Sequence, residues 1–129
     1  MLKTGILNPA LLELIARIRH TNLLVIADRG FPFWPQIETV DISLVDGVPT
    51  VAQVVDALRA QHLIGRAYAA EEFLKVNPKK VTDALRKRLA GVELNFEPHV
   101  QFKLRVPGAI GLIRTGDTTQ YANLILESG

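Results

Sequence analysis

Apolar residues recur along this chain in two rhythms, one of helical spacing and one of short continuous runs. Leu11, Leu12, Leu14, Ile15 and Ile18 fall on one helical stripe behind Asn8-Pro9, a capping side chain followed by a proline suited to the first helical position. The pattern predicts a helix over 9–18. Leu23 to Ala27 is a five-residue apolar run between the polar turn His20-Thr21-Asn22 and Asp28-Arg29-Gly30. A run so short, closed by turn residues, fits a strand buried on both faces. Two prolines in Gly30-Phe31-Pro32-Phe33-Trp34-Pro35 make that segment a loop. Val40, Ile42 and Leu44 then alternate with polar residues as a second strand. Thr50 caps a helix whose stripe is Val51, Val54, Val55 and Leu58.

Ile64 to Ala70 reads as a third strand, closed by Glu71-Glu72. Asn77-Pro78 opens a helix carrying Val81, Ala84, Leu85 and Leu89 and stopping at Gly91. A short strand over 92–96, a brief helix through His99, Phe102 and Lys103, and two last strands, Ala109 to Ile113 and Asn123 to Leu126, complete the series. Strands and helices alternate, which predicts an α/β domain with a largely parallel central sheet and helices on both faces. Open sheets of this kind hold ligands beyond the carboxyl ends of their strands, where Asp28 falls.

Composition narrows this reading. A chain of 129 residues, 48% hydrophobic and 22% charged, suits one soluble domain over 1–129. No run is long and apolar enough to span a bilayer, and the first residues lack a secretory leader pattern. With no cysteine, disulfides and thiolate chemistry are excluded, and a cytoplasmic location is expected. Fifteen basic residues against 13 acidic ones leave a formal charge of +2, too balanced to indicate a nucleic-acid partner. The densest basic group, Lys79, Lys80, Arg86, Lys87 and Arg88, reads as a solvated helix face. Gly108-Ala109-Ile110-Gly111 lacks both the lysine of a phosphate loop and the preceding strand of a dinucleotide fingerprint. No histidine is spaced with another ligand as a metal site, so His20, His62 and His99 taken alone are ordinary turn or surface residues.

Several blocks change that weighting. His20-Thr21 ahead of the apolar run and Asp28, the start Ile6-Leu7-Asn8, Asp41-Ile42-Ser43-Leu44 with Gly47-Val48-Pro49, His99-Val100-Gln101-Phe102-Lys103, and Ile113-Arg114-Thr115-Gly116-Asp117 with Tyr121-Ala122-Asn123-Leu124-Ile125-Leu126 stand in the same order as in one family. Over nearly its whole length the chain resembles the ribose pyranases and fucose mutarotases, and more the pyranase branch. The resemblance implies a three-layer fold and a cytoplasmic isomerase that exchanges ring or anomeric forms of a free monosaccharide, D-ribose first, without cofactor or metal. It also implies a ring-shaped homo-oligomer, pentamer or decamer. Carried over by position, His20 matches the proton donor, while Asp28, His99, Tyr121, Ala122 and Asn123 match sugar-binding positions. Lys103 is assigned a supporting role at most. The alternatives are a mutarotase for fucose or another aldose, and a sugar-binding protein without activity, accessory to transport.

Those residue types suit the chemistry. Opening a hemiacetal ring removes a proton from the anomeric hydroxyl and delivers one to the ring oxygen, and an imidazole, titrating near pH 6.5, does either. A carboxylate, a phenol and an amide supply the acceptors and donors that hydroxyls need. Three features depart from the family's usual pattern. Arg29 stands where small residues are usual and is placed to pair with Asp28 or meet an anionic ligand. Asp117 stands where glutamate is usual, and the loop around Trp34 is unusually aromatic, its indole set against a sugar face or a neighbouring subunit. An extended strand between His20 and Asp28 separates their backbones by roughly 20–26 Å, which predicts a site shared between two subunits.

Overall fold

The computed structural model describes residues 1–129. Its elements are α1 (Pro9–Ala16), β1 (Leu23–Ala27), β2 (Glu38–Asp41), α2 (Val51–Arg59), β3 (Ile64–Ala70), α3 (Glu71–Val76), α4 (Lys79–Arg88), β4 (Glu93–Glu97), α5 (His99–Arg105), β5 (Gly111–Arg114) and β6 (Leu124–Ser128). The six strands form one sheet in the order β2-β5-β1-β6-β3-β4. Only β6 runs antiparallel to its neighbours, pairing with β1 on one side and β3 on the other. The remaining pairs are parallel.

β1 sits centrally and sends alternate residues to opposite faces. Leu24 and Ile26 join the larger core with Leu14, Ile15, Val55, Leu58 and Leu85 from α1, α2 and α4. Val25 and Ala27 join a smaller one with Phe31, Phe102, Val106 and Leu112, beneath α5 and the proline-rich loop. This is the three-layer α/β arrangement that the alternation of elements predicts. Asn8 caps α1 by accepting Leu11 N–H, and Thr50 with Gln53 forms a reciprocal capping box on α2.

The expected boundaries need five corrections. Helix α1 closes at Ala16 rather than residue 18. The second strand lies at 38–41 rather than 40–44, because it follows β5 only as far as Arg114; Leu44 instead bonds Val48 across a tight turn. The strand expected at 109–113 is β5 at 111–114, and that at 123–126 is β6 at 124–128. Glu71-Glu72 does not simply end β3 but begins α3, where two carboxylates lie at the favourable end of the helix dipole.

The antiparallel direction of β6 organises the site. β5 finishes at the carboxyl end of β1 and β6 starts there, so residues 115–123 must arch over the point where β1 ends. β3 and β4 finish at that same end, which places the first residues of α3 and α5 beside the arch.

Candidate functional site

Asp28 leaves β1 with its backbone held at both ends. Its N–H donates to Asn123 Oδ1 at 2.7 Å, and its carbonyl accepts from Arg114 at 3.1 Å. Its carboxylate accepts Gly30 N–H at 2.9 Å, closing the turn over itself. Asn123 is buried and stands one residue before β6, which brings its amide against the end of β1.

From the other side, α5 begins with His99. Pro98 supplies no capping side chain, and Glu72 of α3 takes its place: both carboxylate oxygens lie 3.1 Å from His99 N. The imidazole stacks on Phe102 at 5.8 Å and meets Phe31 and Tyr121 edge-on at 6.1 and 5.1 Å. Tyr121 reaches it from a left-handed backbone conformation, φ 56°, which is costly for a residue with a side chain and marks an over-determined position. His99 Nδ1 is buried without a partner within the chain.

Asp28, His99, Tyr121 and Asn123 line one cleft of about 250 Å³ together with Gly30, Phe31, Pro32 and Gln120. Its size suits a small ligand. Burial raises the Asp28 pKa above its ordinary value, against the opposing hydrogen bonds of Gly30, Asn123 and Phe31; the charge of Asp117 adds to the rise. Burial also lowers the His99 pKa, helped by the charge of Lys103 and opposed by Glu72 and Asp28. Both shifts favour the neutral forms in the cleft.

The other candidates lie elsewhere. His20 is exposed in the turn before β1, at the opposite edge of the sheet from Asp28. Ala122 is buried and faces a larger cavity of about 590 Å³ between α2 and α4. Lys103, one turn along α5, lines a neighbouring groove with Phe33, Trp34, Val100 and Leu104, and so does the indole, which also packs on Phe31. Arg29 does not pair with Asp28: its guanidinium reaches Asp46 at 2.8 Å. Asp117 is spent structurally, accepting Val51 N–H at 2.9 Å and Thr119 N–H at 2.8 Å. The basic helix is a solvated face. Lys79 pairs with Asp83, Arg88 pairs with Asp56, and Arg86 lies over Phe96. No group of three or more histidine, cysteine or acidic side chains is arranged to hold a metal ion, and no helix is long and apolar enough to cross a membrane.

Three contributors were not singled out beforehand. Gln120 lies in a loop and Glu72 reads as a strand terminator, so neither carries a pattern. Arg114 stood in a matched block without an assigned role.

An α/β fold with a small polar cleft at the carboxyl ends of its strands defines a class of small-ligand proteins. The chain belongs to the RbsD / FucU transport protein family, whose model matches residues 1–129. It is 43% identical to a D-ribose pyranase of Geobacillus kaustophilus, over 100% of this chain and 94% of that protein. It is 42% identical to a D-ribose pyranase of Chromobacterium violaceum, over 100% and 98%. Among solved structures, Bacillus subtilis RbsD complexed with D-ribose superposes with a TM-score of 0.92 at 34% identity, covering 100% of this chain and 98% of that one. The fold also matches a fucose mutarotase from Streptococcus pneumoniae in complex with L-fucose, with a TM-score of 0.80 at 20% identity, covering 95% and 92% of the two chains.

Proposed function

We propose that this protein is an isomerase that interconverts the ring forms of a free monosaccharide, D-ribose first, at sites shared between two copies of the chain. The observation that carries the reading is the convergence of Asp28, His99, Tyr121 and Asn123 on one small cleft, in a chain matched end to end by D-ribose pyranases. In the proposed reaction the bond between the anomeric carbon and the ring oxygen breaks. Asp28, made more basic by burial, takes the anomeric hydroxyl's proton as the carbonyl forms, and His20 of a second copy protonates the ring oxygen. Closure reverses both transfers, on either carbonyl face or through another hydroxyl. His99 and Tyr121 hold sugar hydroxyls, and no cofactor takes part.

The second copy is invoked because His20 and the cleft lie at opposite ends of β1. The groove carrying exposed Phe33, Val100 and Leu104 adjoins the cleft through Pro32 and offers the apolar surface on which another protomer would rest. We assign a cytoplasmic ring-shaped assembly, pentamer or decamer, on the same reading. Within a single chain Asp28, His99, Tyr121 and Asn123 share the cleft without His20, and that observation favours the second reading, a sugar binder without activity.

Saturation-transfer NMR on D-ribose separates the two. An isomerase speeds exchange between pyranose and furanose signals, while a binder only broadens them; unchanged exchange rates overturn the proposal. Running L-fucose and other aldoses alongside ranks the sugars. Mixing His20→Ala chains with Asp28→Ala chains tests sharing: activity returns in a mixed oligomer if sites span two copies and stays absent if they do not.

A further inference from the structure

The Arg114 side chain does not line the cleft, yet its guanidinium ties several carbonyls of the Asp28 turn to the end of β5. Arg114 is the last residue of β5, in register with Ala27 of β1 and Asp41 of β2. Nη1 donates to the carbonyls of Asp28 at 3.1 Å and Arg29 at 3.4 Å, and Nη2 donates to that of Pro32 at 3.2 Å. Three carbonyl oxygens thus converge on one cation, and the turn they belong to supplies Asp28, Gly30, Phe31 and Pro32 to the cleft. Oxygens crowded in this way repel one another unless a donor stands between them. Arginine suits the place because its planar fork spans two separated acceptors, whereas lysine offers one point charge. Asp41 balances the charge: the nearby guanidinium, with the Ser43 side chain as the larger cause, holds that carboxyl below its ordinary value.

We infer that Arg114 is a positioning residue, a guanidinium clamp that sets where the Asp28 carboxylate stands in the cleft. The inference rests on the proposed sugar-ring reading for its kinetic consequence, but the clamp itself is structural and is measured without sugar. The Asp28 carboxylate is fixed through its own backbone, so slackening the turn displaces it; a shift of about 1 Å at a reacting group costs on the order of 100-fold in rate.

The test compares wild type, Arg114→Ala and Arg114→Lys, with and without added guanidinium, and with methylammonium at equal ionic strength as control. Hydrogen–deuterium exchange mass spectrometry of peptides covering 24–36 reads the clamp. Exchange there is expected to accelerate in Arg114→Ala, less so in Arg114→Lys, and to slow again with guanidinium only. D-ribose exchange NMR is expected to fall on the order of 100-fold in the alanine variant, with partial return under guanidinium. Unchanged deuterium uptake over 24–36 in both variants overturns the clamp, as does equal rescue by methylammonium. Should Arg114→Ala fail to fold, Arg114→Lys, which keeps the charge beside Asp41, decides alone. A wild type without ribose exchange overturns the proposed activity and leaves the deuterium result to judge the clamp.

Discussion

The two ends of β1 are built to different standards. At the carboxyl end, the N–H, carbonyl and carboxylate of Asp28 all have partners within the chain, supplied by Asn123, Arg114 and Gly30. At the amino end, the backbone is just as well tied: Arg19 N–H reaches Asn22 Oδ1 at 2.8 Å, and Thr21 N–H reaches the Ser128 carbonyl at 3.0 Å. The difference is in the side chain, since His20 is exposed in a turn whose backbone is fixed. A rigid turn presenting a free imidazole suits a group offered to another molecule, and a fully paired turn suits a group held in place to receive a ligand. On the proposed reading these are two halves of one machine.

The sharpest way to separate the halves is to disable each. Asp28→Asn keeps an acceptor for Gly30 N–H and removes a carboxylate whose ionised form burial disfavours, so activity toward D-ribose should fall by ~10²–10⁴ while the protein melts no lower than wild type at pH 7. His20→Ala should lose activity on the same scale, with stability shifted by no more than ~0.5 kcal/mol, as for other surface changes. Exchange NMR and denaturant titration check both. A large stability loss in His20→Ala would mean that the imidazole packs at home rather than serving a neighbour.

The next effect lies in the small core that carries the cleft. Phe102 is fully buried and backs both Phe31 and the His99 ring, so Phe102→Ala should cost about 3–5 kcal/mol of unfolding free energy and weaken ribose binding together. A similar truncation in the larger core, Leu14→Ala, should cost ~2–5 kcal/mol and leave the affinity of the folded fraction unchanged. Equal effects on binding would erase the distinction between the two faces. Smaller again is Asp117→Ala, which leaves Val51 N–H and Thr119 N–H without their acceptor. It should cost about 1–3 kcal/mol, read by urea titration.

How much of this was legible in the sequence follows from the range of each interaction. Helices α1 and α2 and strands β1 and β3 announced themselves because caps, stripes and apolar runs are local signals. The antiparallel course of β6 did not, since Leu124 to Leu126 reads the same in either direction. Yet that direction is what sets Asn123 against Asp28 across 95 positions of sequence. Helix α3 was hidden because Glu71-Glu72 suits a strand end as well as a first helical turn. The roles proposed for His20, His99, Tyr121 and Asn123 come from resemblance, since residue patterns alone leave each as a turn or loop residue, whereas Asp28 is also marked by its place at the carboxyl end of a buried strand. Arg29 misled for a physical reason: adjacent side chains at a strand end diverge, which turned its guanidinium to Asp46 instead of its neighbour.

The smallest expected effect concerns pH, and it bears on the carboxyl end alone. Burial lowers the His99 pKa in the folded state, so the neutral ring is fully tolerated above the ordinary imidazole value, near 6.5. As pH falls below that value the unfolded chain takes up a proton that the folded chain refuses, and stability is lost until the lowered folded pKa is passed. Asp28 works in the opposite sense: its raised pKa lets the folded state bind a proton first, so acidification through that range adds stability. The two terms have opposite signs, each confined to the interval between that group's ordinary and shifted values. His99→Gln removes the destabilising term and should flatten the loss of stability between pH 7.5 and 5.5. Melting temperatures of wild type and His99→Gln across that interval check it. Parallel slopes in wild type and His99→Gln would mean that the imidazole titrates as though in water, and that the aromatic cage of Phe31, Phe102 and Tyr121 does not govern its protonation.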